Sequence, residues 1–235
     1  MRIELCELVL ERPGGIRAVD GISYLFDSER CDAVAILGAN GAGKSTLLEG
    51  IPGLVPIRSG AIRVDGMNVE KRNLSVVRSK VGMIFQNSDD QLFSNTVGED
   101  VAFGPRNLKL PADEVAKRVQ EALASMEIAH LAERDVAHLS GGEKRRAALA
   151  GVLAMKPEAI LLDEPTSMLD PRGCRELAER LAALPALKLI ATHDLEFAGR
   201  LCPECLILLE GRIAAAGETG ELLKQRELLL RCGLA

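Results

Sequence analysis

The chain has 235 residues, enough for one elaborated domain or two small ones to bury a core without disulfide staples, and so enough for an enzyme. Lys and Arg total 29 against 34 for Asp and Glu, and the net charge of -5 argues against a dedicated nucleic-acid binder held by phosphate neutralisation. Aromatics are 3% of the residues (five Phe, one Tyr, no Trp), so base-stacking platforms and aromatic cages lack raw material.

No uncharged run exceeds Ala33 to Gly43, well short of the roughly 20 apolar residues that span a bilayer, so a soluble chain is expected. The start, Met-Arg-Ile-Glu-Leu-Cys-Glu, carries acids and no long apolar core, unlike a secretory signal. Six scattered cysteines form no regular framework, which suits a reduced, cytoplasmic protein.

In chain order, residues 2 to 10 and 19 to 26 read as strands. Ala33-Val-Ala-Ile-Leu37 is a short buried strand ending at Gly38, and helix follows from about Gly43. Further apolar strands are expected at 81 to 85, 159 to 163, 187 to 191 and 205 to 209. Such alternation predicts an α/β fold with a largely parallel sheet buried on both faces. The clearest helix is 111 to 126: Pro111 opens it, Asp113 and Glu114 suit its positive end, and Val115, Val119, Leu123 and Met126 share a face. No apolar strand interrupts 96 to 154, so one domain in two lobes is expected, a core of about 1–87 and 155–235 with a helical insertion of about 88–154. The tail, 218 to 232, reads as short helices.

Gly38-Ala-Asn-Gly-Ala-Gly-Lys-Ser-Thr46 matches the pattern G-x-x-x-x-G-K-S/T between an apolar strand and a helix, where phosphate binding demands it. Backbone N–H groups from Gly38, Asn40, Gly41, Ala42 and Gly43 through Thr46 can turn inward as an anion nest. Lys44 would reach the terminal phosphates of ATP, and Ser45 would ligate Mg²⁺. Ala159-Ile-Leu-Leu-Asp163-Glu164 delivers two acids at the carboxyl end of a strand, the edge at which open parallel sheets bind ligands. Asp163 would hold Mg²⁺, and Glu164 would orient or deprotonate the attacking water.

Three more stretches identify a family. Leu139-Ser-Gly-Gly-Glu143 resembles the signature of ATP-binding cassette (ABC) ATPases, Gln86 after Val81-Gly-Met-Ile-Phe85 their glutamine loop, and Pro165-Thr-Ser-Met-Leu-Asp170 their dimer-contact loop. Thr192-His193-Asp194 resembles their switch histidine. The likeness covers about residues 3 to 217 in the family's order. It implies a P-loop NTPase (RecA-like) core with a mostly parallel sheet, an N-terminal antiparallel β subdomain and an inserted α-helical subdomain. It further implies catalytic roles for Glu164, His193 and Gln86, Mg²⁺ ligation by Ser45, Gln86 and Asp163, and a head-to-tail dimer. In that dimer Ser140, Gly141 and Gly142 close on the partner's γ-phosphate, and Asp170 positions the partner. His130 and His138 read as structural.

The stretch from Gln86 to Pro105 resembles the energy-coupling-factor branch of importers, especially cobalt and nickel uptake ATPases, with vitamin importers closely similar. The resemblance implies a second ATPase chain, a membrane coupling subunit, a substrate-binding membrane subunit and a place on the cytoplasmic face of the membrane. Asp89, Asp90 and Glu99 beside Leu92, Phe93 and Val97 suit an arginine-bearing docking helix. Non-transport cassette ATPases fit less well: DNA-repair members insert long coiled coils between phosphate loop and signature, and translation factors usually join two cassettes. Family members usually stack an aromatic on adenine where this chain has Arg12, whose guanidinium plane can also stack on a base. Cys202-Pro-Glu-Cys205 lacks the second pair or histidines of a structural zinc site, and Cys205 opens an apolar strand.

Overall fold

Alternation of apolar and polar residues builds the first layer. In β1 (Arg2–Arg12), Ile3, Leu5, Leu8 and Leu10 are all buried, although the step from Leu5 to Leu8 breaks the period of two. A register shift between those residues, with Glu7 at φ 43°, restores the face. β1 pairs antiparallel with β2 (Ile16–Asp27) and β4 (Ile57–Val64), and β5 (Met67–Asn68) completes a sheet of order β2-β1-β4-β5. The structure, a computed structural model, describes residues 1–87, 90–167 and 169–235.

The second sheet has the order β10-β9-β3-β8-β7-β6. Five of its strands run parallel: β3 (Ala33–Leu37), β6 (Val81–Ile84), β7 (Ala159–Asp163), β8 (Leu187–Thr192) and β9 (Glu204–Leu209). The antiparallel β10 (Arg212–Glu218) forms one edge. β3, β6, β7 and β8 are buried at every position, as expected of strands covered on both faces. Val34, Ile36, Leu161 and Leu189 turn toward the antiparallel sheet and α1 (Lys44–Gly50), while Ala35, Leu37, Leu162 and Ile190 turn toward a helical layer.

Between β6 and β7 lie α3 (Val97–Asn107), α4 (Ala112–Ser125) and α5 (Gly141–Leu153), packed against one another. Thr96 caps α3 by accepting from Glu99 N, and Pro111 stands at the N-cap of α4, one residue before the helix. α2 (Leu74–Lys80), α6 (Pro171–Ala182) and α7 (Leu195–Leu201) flank the sheet, and α8 (Thr219–Leu222) and α9 (Arg226–Arg231) are the short helices of the tail. Among the described residues, no helix is long and apolar enough to cross a membrane.

The register decides what meets at the carboxyl edge. Leu37 pairs with Thr192 and Asp163 with Ala191, so the chain leaves β3, β7 and β8 side by side. Gly38 to Thr46, Asp163-Glu164 and Thr192-His193 therefore share one edge.

Candidate active site

The loop after β3 is shaped by what surrounds it. Gly43 has φ 104°, and a Cβ there would collide with the carbonyl oxygen of Ala18. Only glycine lets the loop pass this close to β2. Gly38, Ala42, Gly43, Lys44 and Thr46 are buried, Ser45 is half-buried, and Asn40 and Gly41 are exposed at the tip. The Lys44 ammonium donates to Gly38 O at 2.8 Å and Ala39 O at 3.3 Å and lies 3.4 Å from Glu164 Oε1. Both side chains are more than nine-tenths buried, so each charge is the other's compensation.

Glu164 is held from several sides. Its other oxygen, Oε2, accepts from Thr192 Oγ1 at 3.0 Å and from the His193 amide at 3.4 Å, and lies 3.0 Å from His193 Nδ1. Its backbone is left-handed, φ 44°, a conformation costly for a side chain with a Cβ. Its amide donates to Ala191 O at 2.8 Å. The Thr192 hydroxyl, which sequence reasoning missed, also accepts from Asp194 N at 3.0 Å and so ties the carboxylate to the cap of α7. The His193 side chain is two-thirds exposed, free to face a ligand.

Asp163 shows what the edge can hold. Burial pushes its carboxyl above the usual range; a hydrogen bond from the Ser45 hydroxyl opposes this, and the neighbouring Glu164 charge adds to it. Among the described residues its Oδ1 is buried without a hydrogen-bond partner. An unpartnered carboxylate oxygen beside a serine hydroxyl is the oxygen-donor chemistry of a hard divalent cation, and these residues fit Mg²⁺. Gln86, exposed and two residues beyond β6, lies at the same edge one strand from Asp163.

Arg12 is placed differently from a solvated loop residue. Its Nε donates to Thr46 Oγ1 at 2.8 Å and its Nη2 to Glu49 Oε2 at 2.6 Å, which clasps the end of β1 to α1. Both donors lie in the guanidinium plane, so the clasp fixes the plane of a side chain that is 43% exposed.

The signature opens α5 with a capping box. Ser140 Oγ accepts from Glu143 N at 3.4 Å, and the Ser140 hydroxyl and amide each donate to Glu143 Oε2 at 2.7 Å. These bonds hold the Glu143 carboxyl below the usual range. A Cβ on Gly141 would meet nothing within 4 Å, and one on Gly142 only the tip of Arg146 at 3.9 Å. Among the described residues nothing requires glycine there. Asp170, exposed, caps α6 by accepting from Gly173 N at 2.6 Å.

Sequence reasoning also missed Arg145. It is 4% exposed, and its guanidinium donates to Phe85 O at 2.7 Å, Glu164 O at 2.7 Å and Ser167 Oγ at 3.0 Å. The signal was present: Arg145 shares a helical face with the buried Ala148, Leu149 and Val152, so a cation had to enter the core. Leaving its acceptors unpaired would cost about 1–3 kcal/mol each.

Beside the glutamine loop, Leu92 and Val97 are 9% and 0% exposed and belong to the core, which corrects their expected place as docking anchors. The apolar surface is made by Phe93 and Phe103, 64% and 46% exposed, whose rings meet edge to face with centroids 4.7 Å apart. Asp90 and Glu99 are exposed; Asp89 lies outside the described residues. Asp100, buried, accepts from the Phe93 and Ser94 amides at 3.0 and 2.8 Å and so shapes the segment that presents Phe93. Cys202 and Cys205 are buried thiols, and burial pushes Cys202 up to about 12.

The family model for ABC transporters matches residues 23–167. The chain belongs to the ABC transporter ATPases. It is 43% identical, over 100% of its own length and 87% of the relative's, to the energy-coupling factor transporter ATP-binding protein EcfA of Carboxydothermus hydrogenoformans. It is 47% identical to a putative ABC transporter ATP-binding protein of Streptomyces avermitilis, covering 97% of this chain and 86% of that one. Among solved structures, cbiO1 of Clostridium perfringens, part of the ABC transporter complex cbiONQ, superposes with a TM-score of 0.83 at 36% identity, over 99% of this chain and 94% of that one. This ABC ATPase is therefore an ATP-binding subunit of the energy-coupling-factor type, an ATPase whose turnover is coupled to transport. Its mostly parallel core sheet, N-terminal antiparallel sheet and helices are those of the family fold.

Proposed function

We propose that this ATPase energises uptake of a transition-metal ion, cobalt or nickel, from the cytoplasmic face of the membrane. In this reading it is a single domain, core 1–87 and 155–235 with insertion 88–154, paired head to tail with a second copy or a related ATPase. A membrane coupling subunit and a substrate-binding membrane subunit complete the assembly. Support for the cargo comes from the likeness of residues 86–105 to metal-importer ATPases, and support for a multi-subunit assembly from the likeness of the whole chain to cbiO1, part of the ABC transporter complex cbiONQ.

At the nucleotide site, the loop amides from Gly38 to Thr46 and the Lys44 ammonium hold the phosphates, and Ser45, Asp163 and Gln86 hold Mg²⁺. When bound, the cation neutralises charge on the terminal phosphates. Glu164 accepts the proton of the attacking water, with His193 and Thr192 fixing the carboxylate. The observation that carries this is the convergence on one buried carboxylate of Lys44 at 3.4 Å and His193 Nδ1 at 3.0 Å.

The Phe93–Phe103 pair with Asp90 and Glu99 is the coupling surface in this reading: two exposed rings in edge-to-face contact, the first of them seven residues after Gln86, together with two exposed acids, fit an arginine-bearing helix. The experiment is uptake of labelled cobalt, nickel and vitamins by cells expressing this chain with its membrane subunits, alongside a pull-down of those subunits. Phe93→Ala and Asp90→Lys should each weaken assembly and cut uptake severalfold. Undiminished assembly and uptake in both would remove the surface; accumulation of a vitamin and no metal would reassign the cargo.

Arg12 takes the adenine contact in this account, its plane held by Thr46 and Glu49. Arg12→Ala and Arg12→Lys should both raise KM for ATP about fivefold with little change in kcat, because stacking of a guanidinium is worth roughly 1 kcal/mol and lysine has no plane. Arg12→Tyr should restore it. Equal affinities in all four proteins would leave Arg12 without a nucleotide contact.

A further inference from the structure

We infer that Arg145 is a positioning residue that links the glutamine loop to the backbone of Glu164, so that the aim of the catalytic carboxylate depends on how that loop is seated. This rests on the assignment of Glu164 as the group that activates water.

Among the described residues its three bonds go to three separate segments: Phe85, the residue before Gln86; Glu164 itself; and Ser167, in the stretch leading to Asp170. Its partners are two backbone carbonyls and a hydroxyl, with Asp163 the acid that acts on it at longer range. A buried cation is an expensive way to fill space, and an apolar side chain on the same face of α5 would pack more cheaply. What arginine adds is a rigid planar fork that sets the distances between its acceptors.

The effect concentrates on Glu164. Its carbonyl is held by Arg145 and its amide by Ala191 O at 2.8 Å, so both polar groups of a left-handed residue are fixed from opposite sides. The direction in which the Glu164 side chain leaves the backbone follows from that constraint. The other end is equally defined. Phe85 N donates to Gln91 Oε1, and Gln91 Nε2 donates to Met83 O, both at 3.3 Å, so a side-chain amide continues the ladder on the free side of the edge strand β6. A shift of the segment from Phe85 to Gln91, which leads directly to the exposed Phe93, reaches Glu164 through one side chain. Because Arg145 stands on α5, a shift of the signature helix reaches it too.

The test compares Arg145→Met and Arg145→Lys in the assembled transporter, each with Glu164 intact and with Glu164→Gln, by steady-state and single-turnover hydrolysis, ATP binding and thermal melting. Arg145→Met should lower kcat about 100-fold, the cost of a misplaced catalytic group, with KM and ATP affinity within about threefold. Arg145→Lys, which keeps a donor but not the fork, should fall between. In the Glu164→Gln background neither variant should slow single-turnover hydrolysis further, because Arg145 acts through Glu164. A kcat within about twofold of the parent, or an equal additional fall without Glu164, overturns the inference. Should Arg145→Met melt too low to assay, Arg145→Lys carries the comparison. Retained turnover in Glu164→Gln alone would sink the assignment of Glu164 and this inference together; loss there with no effect of Arg145 would sink only the latter.

Discussion

Glu164→Gln should bind ATP at least as tightly as the parent protein while kcat falls by about 100- to 10,000-fold, the range for removal of a general base. The amide keeps the size of the side chain, and its oxygen can still accept from Thr192 Oγ1 and the His193 amide. What it loses is the ability to take a proton and the charge 3.4 Å from Lys44. That second loss fixes the sign of the binding effect. With its buried counter-charge gone, the Lys44 ammonium gains more from the phosphates of a nucleotide than it does in the parent. The variant should therefore stay in the ATP-bound dimer, visible as a doubled mass in light scattering on adding Mg-ATP. Rapid turnover would show that another group activates water.

The legible part of this site is the part written in contiguous residues. An apolar strand, a glycine-rich loop and a helix follow one another from Ala33, and β7 ends on Asp163 as its apolar run predicts. The strands expected at 2–10 and 19–26 run longer in the structure, and β4 and β10 were not anticipated. In β4 the cause is visible: Ser59 and Gly60 interrupt the run, and only Ile62 and Val64 are buried, too few to mark a strand. β10 buries none of its residues fully, as an edge strand can. Leu92 and Val97 misled for the converse reason, since apolar residues beside acids read as a docking face until the helical layer shows what covers them.

Roles that depend on residues far apart in the chain were the least accessible. Arg145 reaches Phe85 across 60 positions and Glu164 across 19, and the Arg12 clasp joins residues 34 and 37 apart. Sequence places Arg145 on a buried face of α5 but does not say which carbonyls await it. The same distinction separates Glu164, whose position at a strand end is local, from the Thr192 hydroxyl that orients it from the neighbouring strand.

Ser140→Arg should abolish steady-state turnover, by about 100-fold or more, while leaving the chain's own ATP affinity unchanged, because the signature is argued to serve the partner's phosphate rather than its own. Contrast between the two glycine-rich segments supports this. Gly43 is required by this chain, since a Cβ there would collide with Ala18 O, whereas Gly141 faces open space and Gly142 nearly so. The Gly141 and Gly142 amides at the start of the 13-residue α5 are suited to an anion, which a partner chain would bring to them. Mixing separates a composite site from a folding defect. Lys44→Ala removes the cation proposed to face the phosphates but keeps its signature, and Ser140→Arg does the reverse, so each homodimer should be inactive. In a mixed head-to-tail dimer one site combines an intact loop with an intact signature, and turnover should reappear when the two inactive proteins are combined. If mixing restores nothing although both variants bind the membrane subunits, or if Ser140→Arg alone turns over normally, each site is complete within one chain and the head-to-tail arrangement is wrong.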